Sequence, residues 1–341
     1  MRAIEIVGEA REARLVLREH PAPRPGPGEL RVDVVATAVN RADLLQRRGL
    51  YPPPPGASPI LGLECAGVIE ELGPGVRGFQ RGERVMALLP GGGYAEQAVV
   101  HAGSVMRIPA SLSFIEGAAV PEVFLTCHLN LFMLGRLEKG QRALVHGGGS
   151  GIGTTAIQLL RCAGARSIVT CGGAEKCARC LELGADAALN YREEKLAERI
   201  LEASGGAGVD LALDSIGAPY LALHLRCLRP GGRLILIGLM GGVRAEINLG
   251  VLLARRLELI GSTLRARSAE DKAEIVRSFE ARFGDELARR RIVPVIDREL
   301  PLDRAQEAHE VLERSEHFGK LVLRVREDPG GTDQKPSVAS S

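Results

Sequence analysis

"LVHGGGSGIGTTAIQLLR", Leu144 to Arg161, carries five glycines in the seven residues from Gly147 to Gly153. An apolar run leads into them and a helical pattern leads out. Glycines at such a strand-to-helix turn let the backbone approach a pyrophosphate, and the new helix aims its free N–H groups at the same charge. In the frame G-x-G-x-x-G beginning at Gly148, the glycine positions hold Gly148, Ser150 and Gly153. The serine departs from the motif, and its hydroxyl is expected to reach a phosphate or a nicotinamide amide.

The flanking sequence places this turn in a repeating plan. After "ALVHG" the strand-like runs "SIVTCGG", "AALNY", "DLALDSIG", "GRLILIGLMGG" and "LELIGSTL" follow. Helical stretches such as "AEKCARCLELGA" and "REEKLAERILEAS" separate several of them. Strands alternating with crossover helices predict a doubly wound parallel sheet, the Rossmann plan of α/β proteins. Residues 1–118 read differently, as short strands broken by Gly and Pro, with the proline loop "YPPPPGASP". They predict a β-rich module, a distorted barrel. Beyond 264 the alternation stops. "AEDKAEIVRSFEARFGDELARRR" reads as one or two amphipathic helices. "LDRAQEAHEVLERSEHFGKLVLRV" reads as a helix capped by Asp303 with Gln306, then a strand after Gly319. Residues 265–326 are expected to return to the first module, and 327–341, rich in Gly, Pro and Ser, to be disordered.

The whole chain has 341 residues, 45% hydrophobic and 25% charged, with a net charge of +2. That suits two globular domains and offers no broad basic surface for nucleic acid. The N-terminus lacks a secretory apolar region, no run approaches a membrane span, and seven cysteines give no even framework. A reducing cytoplasm is the expected setting.

The second strand bears on the cofactor. An NAD site usually ends that strand with Asp or Glu. Here Gly172 and Gly173 stand there, followed by Lys176, with Tyr191 and Arg192 after the next strand. Small residues and cations predict NADPH.

At this point the chain resembles a family. "NRADLLQR", "LLPGGGYAEQ", "VHGGGSGIGT", "IGLMGG" and "FGKLVL" are similar, in order and over about residues 1–326, to zinc-free medium-chain reductases of the quinone oxidoreductase and zeta-crystallin group. The resemblance implies a GroES-like catalytic domain beside the Rossmann domain. It puts the nucleotide loop on Ser150, Gly151, Ile152 and Gly153, and the adenosine and 2′-phosphate contacts on Gly172, Gly173, Lys176 and Tyr191. It puts the nicotinamide side on Gly238, Leu239 and Met240, and the C-terminal return on Phe318, Gly319 and Lys320. The substrate pocket falls on Asn40, Asp43 and Tyr51, with Thr126, Thr263, Leu264 and Arg265 near the nicotinamide. It also implies a homodimer joined near the last strands of the Rossmann sheet.

Zinc-dependent relatives need a cysteine near Asn40 and a histidine before Glu64. The sequence has "VNRAD" and "GLECAG" there, and it clusters no other Cys or His in a metal pattern. Cys127 and His128 are neighbours on a helix and point apart, and Cys177 and Cys180 read as packed thiols. Cys65 reads as core. His146 reads as a strand end, and His101, His224, His309 and His317 as surface. No metal is expected.

Without a metal, a flat acceptor is reduced by placement against the nicotinamide. Tyr51 is the expected catalytic hydrogen-bond donor, with Asn40 orienting the acceptor or the cofactor. Three functions stay open. One is NADPH-dependent reduction of quinones, of the ortho class, by two electrons or by one with release of semiquinone and reactive oxygen. Another is NADPH-dependent enoyl reduction. The third is a non-catalytic NADPH-binding role, crystallin-like or RNA-binding, for which Arg289–Arg291 is the lone basic cluster.

Overall fold

A computed structural model of the chain describes residues 1–9 and 12–328. Six strands form the parallel sheet. Their spatial order is Ala187–Asn190, Arg166–Cys171, Arg142–His146, Val209–Asp214, Leu228–Leu236 and Glu258–Gly261. Every neighbouring pair is parallel. In sequence order this is 3-2-1-4-5-6, so the winding reverses between Arg142–His146 and Val209–Asp214. The glycine turn leaves the carboxyl end of the first of these, at the crevice where such sheets bind ligands. Both faces are covered. Leu144, Ile168, Ala212 and Leu234 pack into one apolar cluster, and their neighbours Ala143, Val145, Val169, Leu211, Leu213 and Ile235 into another. That two-residue alternation with both sides apolar is what parallel strands under helices require.

The second sheet has seven strands. Its main order is Ile296–Pro301, Lys320–Arg324, Glu29–Val39, Glu64–Leu72, Arg84–Leu88 and Val105–Arg107, and Gln97–His101 pairs with Glu29–Val39. All pairs are antiparallel except the first. The long strand Glu29–Val39 slips register against Glu64–Leu72 at two places, which bends the sheet. A two-stranded hairpin, Arg2–Val7 with Arg14–Glu19, forms its own sheet and docks on the second module: the Ile4 N–H donates to Tyr94, the Glu96 N–H donates to Arg2, and Ile4 and Leu15 join its core. The return expected after residue 264 is present: Leu321 pairs with Val39 and Thr37 with Cys65. Those registers set Lys320, Asn40 and Glu64 side by side.

Several local expectations need correction. The stretch 269–291 forms one helix, Ala269–Ala288, with Ser268 as its cap. Its Phe279 and Phe283 pack edge-on against Phe124 and His128 of helix Pro121–His128. Asp303 caps nothing: a 3-10 turn, Leu302–Arg304, precedes helix Ala305–Arg314, and Gln306 instead accepts the N–H of Leu15. Helix Leu249–Arg255 and strand Ile296–Pro301 were not foreseen. The disorder expected at 327–341 falls, beyond Asp328, outside the described residues. No helix among those described is long and apolar enough to cross a membrane.

Candidate active site

The glycine turn is closed around its own backbone. A Cβ at Gly153 would lie 2.3 Å from the Gly147 carbonyl oxygen and 2.5 Å from Gly148 Cα. One at Gly148 would meet Val169, Cys171 and Cys180 within 2.9 Å, and one at Gly151 would meet the Lys320 stem at 2.6 Å. These positions admit only glycine without rearrangement. Ser150 is the cap of helix Gly151–Cys162, and its Oγ accepts the Gly153 N–H at 3.0 Å. The hydroxyl oxygen therefore shapes the helix end, and its O–H remains a donor at the mouth of the turn. The first-turn N–H groups of Gly151 and Ile152 have no intrahelical acceptor and face the opening. This is a cradle for a pyrophosphate that a single Cβ would fill.

The C-terminal return lies across that cradle. Gly319 N–H donates to the Gly149 carbonyl at 2.9 Å, and Gly319 bridges to Ser150. A Cβ at Gly149 would touch the Phe318 ring at 3.0 Å, and Arg179 stacks on that ring at 3.9 Å. Phe318 and Gly319 thus support the loop from outside.

On the adenosine side the second strand ends without an acid. Gly173 has open space where a side chain would be, and Gly172 faces the Tyr191 hydroxyl. Tyr191 is exposed. Lys176 does not stand free: its Nζ donates to the carbonyls of Ser315 and His317, both at 2.7 Å. Arg192 is exposed, and no ion pair among the described residues engages its guanidinium. Gly238, Leu239 and Met240 follow strand Leu228–Leu236. The Met240 N–H donates to Ser215, and Leu239 and Met240 are exposed.

Beside the glycine turn, where the Lys320 stem packs, lies a cluster of buried charges. Lys320 Nζ donates to Glu64 Oε1 at 2.7 Å and to Asn40 Oδ1 at 2.6 Å, and Asn40 Nδ2 donates to the same Glu64 oxygen at 2.8 Å. The other Glu64 oxygen accepts the Glu122 N–H at 2.8 Å. Lys320 and Glu64 are 3% and 0% exposed, so this pair depends wholly on its own bonds. Asp43 is fully buried as well. It accepts the N–H groups of Asn40 and Gly62 and the Tyr94 hydroxyl. Desolvation pushes its carboxyl up to about 6, against the Asn40 and Gly62 N–H groups and Lys320. Asp43 and Asn40 thus have their polar groups engaged within the protein, and Lys320 joins them in one buried cluster.

Tyr51 is half-buried, and no hydrogen bond among the described residues engages its hydroxyl. Burial raises its phenol above the usual value. Arg265 holds it in place. The guanidinium donates to the Tyr51 carbonyl at 3.2 Å, to Pro90 at 2.7 Å and to Gln46 Oε1 at 2.6 Å, and it faces the Tyr51 ring at 5.3 Å. Arg265 and Leu264 are buried, Thr263 is exposed and Thr126 is half-buried. Arg265 thus ties the Tyr51 backbone to Pro90 and Gln46.

Sequence reading missed three groups here: the Glu64–Lys320 pair, Gln46, and Glu122. The available signal was an acid inside an apolar run, in "ILGLECAG" and in "GAAVPEVFLTC". The histidines also need correction. His224 and His309 are 0% exposed and His317 is buried, whereas His101 is exposed as expected. His309 meets the Tyr94 hydroxyl at 3.1 Å, and burial holds it down to about 3. His146 bonds Thr170 and His224, with Asp214 nearby, the one His/Cys/acid group of metal-like spacing among the described residues. Asp214 there already accepts the N–H groups of Ile216 and Gly217. Cys65, Cys127, Cys177 and Cys180 are buried. Asn40 and Leu63, the places where the resemblance puts ligands in zinc-dependent relatives, offer an amide already bonded and an alkyl chain, and Glu64 beside them is a paired carboxylate.

Residues 26–110 match the alcohol dehydrogenase GroES-like domain model, and residues 151–280 match the zinc-binding dehydrogenase model. A quinone oxidoreductase of Rattus norvegicus is 31% identical over 303 residues, 88% of this chain and 90% of that protein. A pikromycin polyketide synthase component of Streptomyces venezuelae is 35% identical over 93% of this chain, which spans 8% of that protein. The crystal structure of Escherichia coli quinone oxidoreductase complexed with NADPH superimposes with a TM-score of 0.83 and 29% identity, over 95% of this chain and all of the other. Two family models in tandem, a relative matched nearly end to end and a crevice floored by glycine agree: the chain belongs to the medium-chain dehydrogenase/reductase family, among relatives of its quinone oxidoreductases.

Proposed function

We propose that this protein is an NADPH-dependent oxidoreductase that reduces quinones, of the ortho class, without a metal. The observation that carries the reading is the pairing of a glycine cradle with an acceptor wall whose would-be metal ligands are committed to Lys320. Gly151, Ile152 and Gly153 would hold the pyrophosphate, with Ser150 fixing the helix end. Gly172, Gly173, Tyr191 and Arg192 would take the adenosine and its 2′-phosphate, with Lys176 beside them. Gly238, Leu239 and Met240 would meet the nicotinamide. When bound, NADPH supplies the hydride.

The chain's own residues would then do three things. The Lys320–Glu64–Asn40 cluster keeps the pocket wall rigid and dry. Arg265 and Gln46 fix the backbone that carries Tyr51. The Tyr51 hydroxyl donates to an acceptor oxygen and orients the ring, while Thr126, Thr263 and Leu264 bound the opening. Residues 1–118 and 265–326 would form the catalytic domain and 119–264 the cofactor domain. The exposed apolar residues Leu249 and Leu253, on helix Leu249–Arg255, and Leu259, on the edge strand Glu258–Gly261, support a homodimer formed there. Seven free thiols support a cytoplasmic setting.

A stopped-flow panel of ortho-quinones, para-quinones and enoyl thioesters under NADPH tests the reading. Rapid turnover of ortho-quinones is expected, and semiquinone absorbance reports whether electrons pass singly. Enoyl reduction is the second reading, favoured by the likeness to the polyketide synthase component. Preferential turnover of the thioesters would establish it.

A further inference from the structure

We infer that Glu122 is the proton donor of the reaction, delivering its carboxyl proton to the acceptor oxygen; this rests on the reading of a reductase with a quinone acceptor. Glu122 opens helix Pro121–His128, directly after Pro121. Six of that helix's eight residues are buried, and the two that are not, Glu122 and Thr126, lie four apart on one face. The neighbouring Val123 side chain touches the position of a Gly151 Cβ, so the helix start abuts the glycine cradle. On the other side the Glu122 N–H binds Glu64 and so joins the acceptor wall.

The carboxyl itself is unlike every other acid in the site. Glu64 is paired with Lys320, and Asp43 accepts three donors. No hydrogen bond or ion pair among the described residues engages the Glu122 carboxyl. The charged and titratable groups around it are Glu64 and Asp43, which oppose its ionisation, and Lys320 and Lys272, which favour it. Tyr51 and Arg265, across the opening, also feel its charge. Desolvation and Glu64 prevail and push the carboxyl up to about 8, so it keeps its proton at neutral pH. The acid thus sits close to the working pH, where proton transfer is most effective, while burial lifts the Tyr51 phenol further from it.

The balance of the step is simple. The hydride brings the electron pair to the acceptor, which gains negative charge on oxygen. The Glu122 O–H bond breaks, a new O–H bond forms on the acceptor, and the product leaves as neutral hydroquinone. Glu122 is left as carboxylate and takes its next proton from water. Tyr51 donates a hydrogen bond in this scheme and keeps its own proton.

Glu122→Gln, Glu122→Asp and Tyr51→Phe, assayed with an ortho-quinone and NADPH across pH, test the assignment. Glu122→Gln is expected to lower kcat by about 10²-fold while leaving the quinone KM and the NADPH affinity within about twofold. The wild-type rate should fall as pH rises through about 8, and the Gln variant should lack that limb. Glu122→Asp should recover part of the rate. Infrared titration of the protein without cofactor should show a protonated-carboxyl stretch that disappears near pH 8 in the wild type and is missing in Glu122→Gln. A Gln variant that keeps kcat and the alkaline limb, or keeps the infrared band, overturns the assignment alone. A wild-type protein inert toward every quinone overturns the functional reading and this step with it.

Discussion

The two sides of the crevice are built from different materials. The cofactor side is almost bare backbone: glycines packed so closely that a methyl group has no room, and a helix end with free N–H groups. The acceptor side is almost all side chain: Glu64, Lys320, Asn40, Asp43, Gln46 and Arg265, buried and bonded to one another. The first side can be altered only by adding atoms. The second is altered by removing one partner and stranding the other. Ligand affinity therefore answers chiefly to the first, and stability and acceptor geometry to the second.

The sharpest way to break this contrast is Lys320→Met. It strands a fully buried Glu64 carboxylate and should cost about 3–5 kcal/mol of stability, read as a shift in the urea midpoint. Pairing it with Glu64→Gln should return most of that loss. If the single variant is as stable as the wild type, the cluster does not hold the wall.

Gly153→Val tests the opposite side. Its side chain would collide with Gly147 and Gly148, and NADPH affinity should fall by about 10²-fold in a fluorescence titration. Unfolding in urea should change less than for Lys320→Met.

A smaller effect separates the two cations near the adenosine pocket. Arg192→Glu should reduce the preference for NADPH over NADH by about tenfold, since nothing ties its guanidinium down. Lys176→Glu should reduce it less, because that ammonium is held by Ser315 and His317. Equal affinities of the wild type for the two cofactors would undo the reading of the second strand.

The mildest change is Tyr51→Phe, which removes one hydrogen bond and leaves the ring. Quinone turnover should slow only severalfold, a loss of about 1 kcal/mol. Complete loss with cofactor binding intact would make Tyr51 the obligatory donor.

The same contrast decides what could be read from sequence. Glycines 147 to 153 and the helix after them act within a few residues of one another, and a strand, a turn and a periodic run expose them. Gly172 and Gly173 are equally local. Glu64 and Lys320 are 256 residues apart and meet because Lys320–Arg324 pairs with Glu29–Val39. No local pattern signals that pairing. His309 read as surface because its neighbours are charged, yet it lies on the face of Ala305–Arg314 that also buries Ala305, Ala308 and Leu312. Strand Ile296–Pro301 was missed because Asp297, Arg298 and Glu299 make it look like a loop. It is an edge strand with half of its backbone unpaired, where charge is tolerated.

The most direct test of the central claim, that acceptor reduction here runs on bonded side chains and needs no ion, is NADPH-dependent quinone turnover before and after exhaustive chelation, with metal content measured on the same sample. An unchanged rate in metal-free protein is expected. A rate that disappears on chelation and returns with added zinc would contradict it.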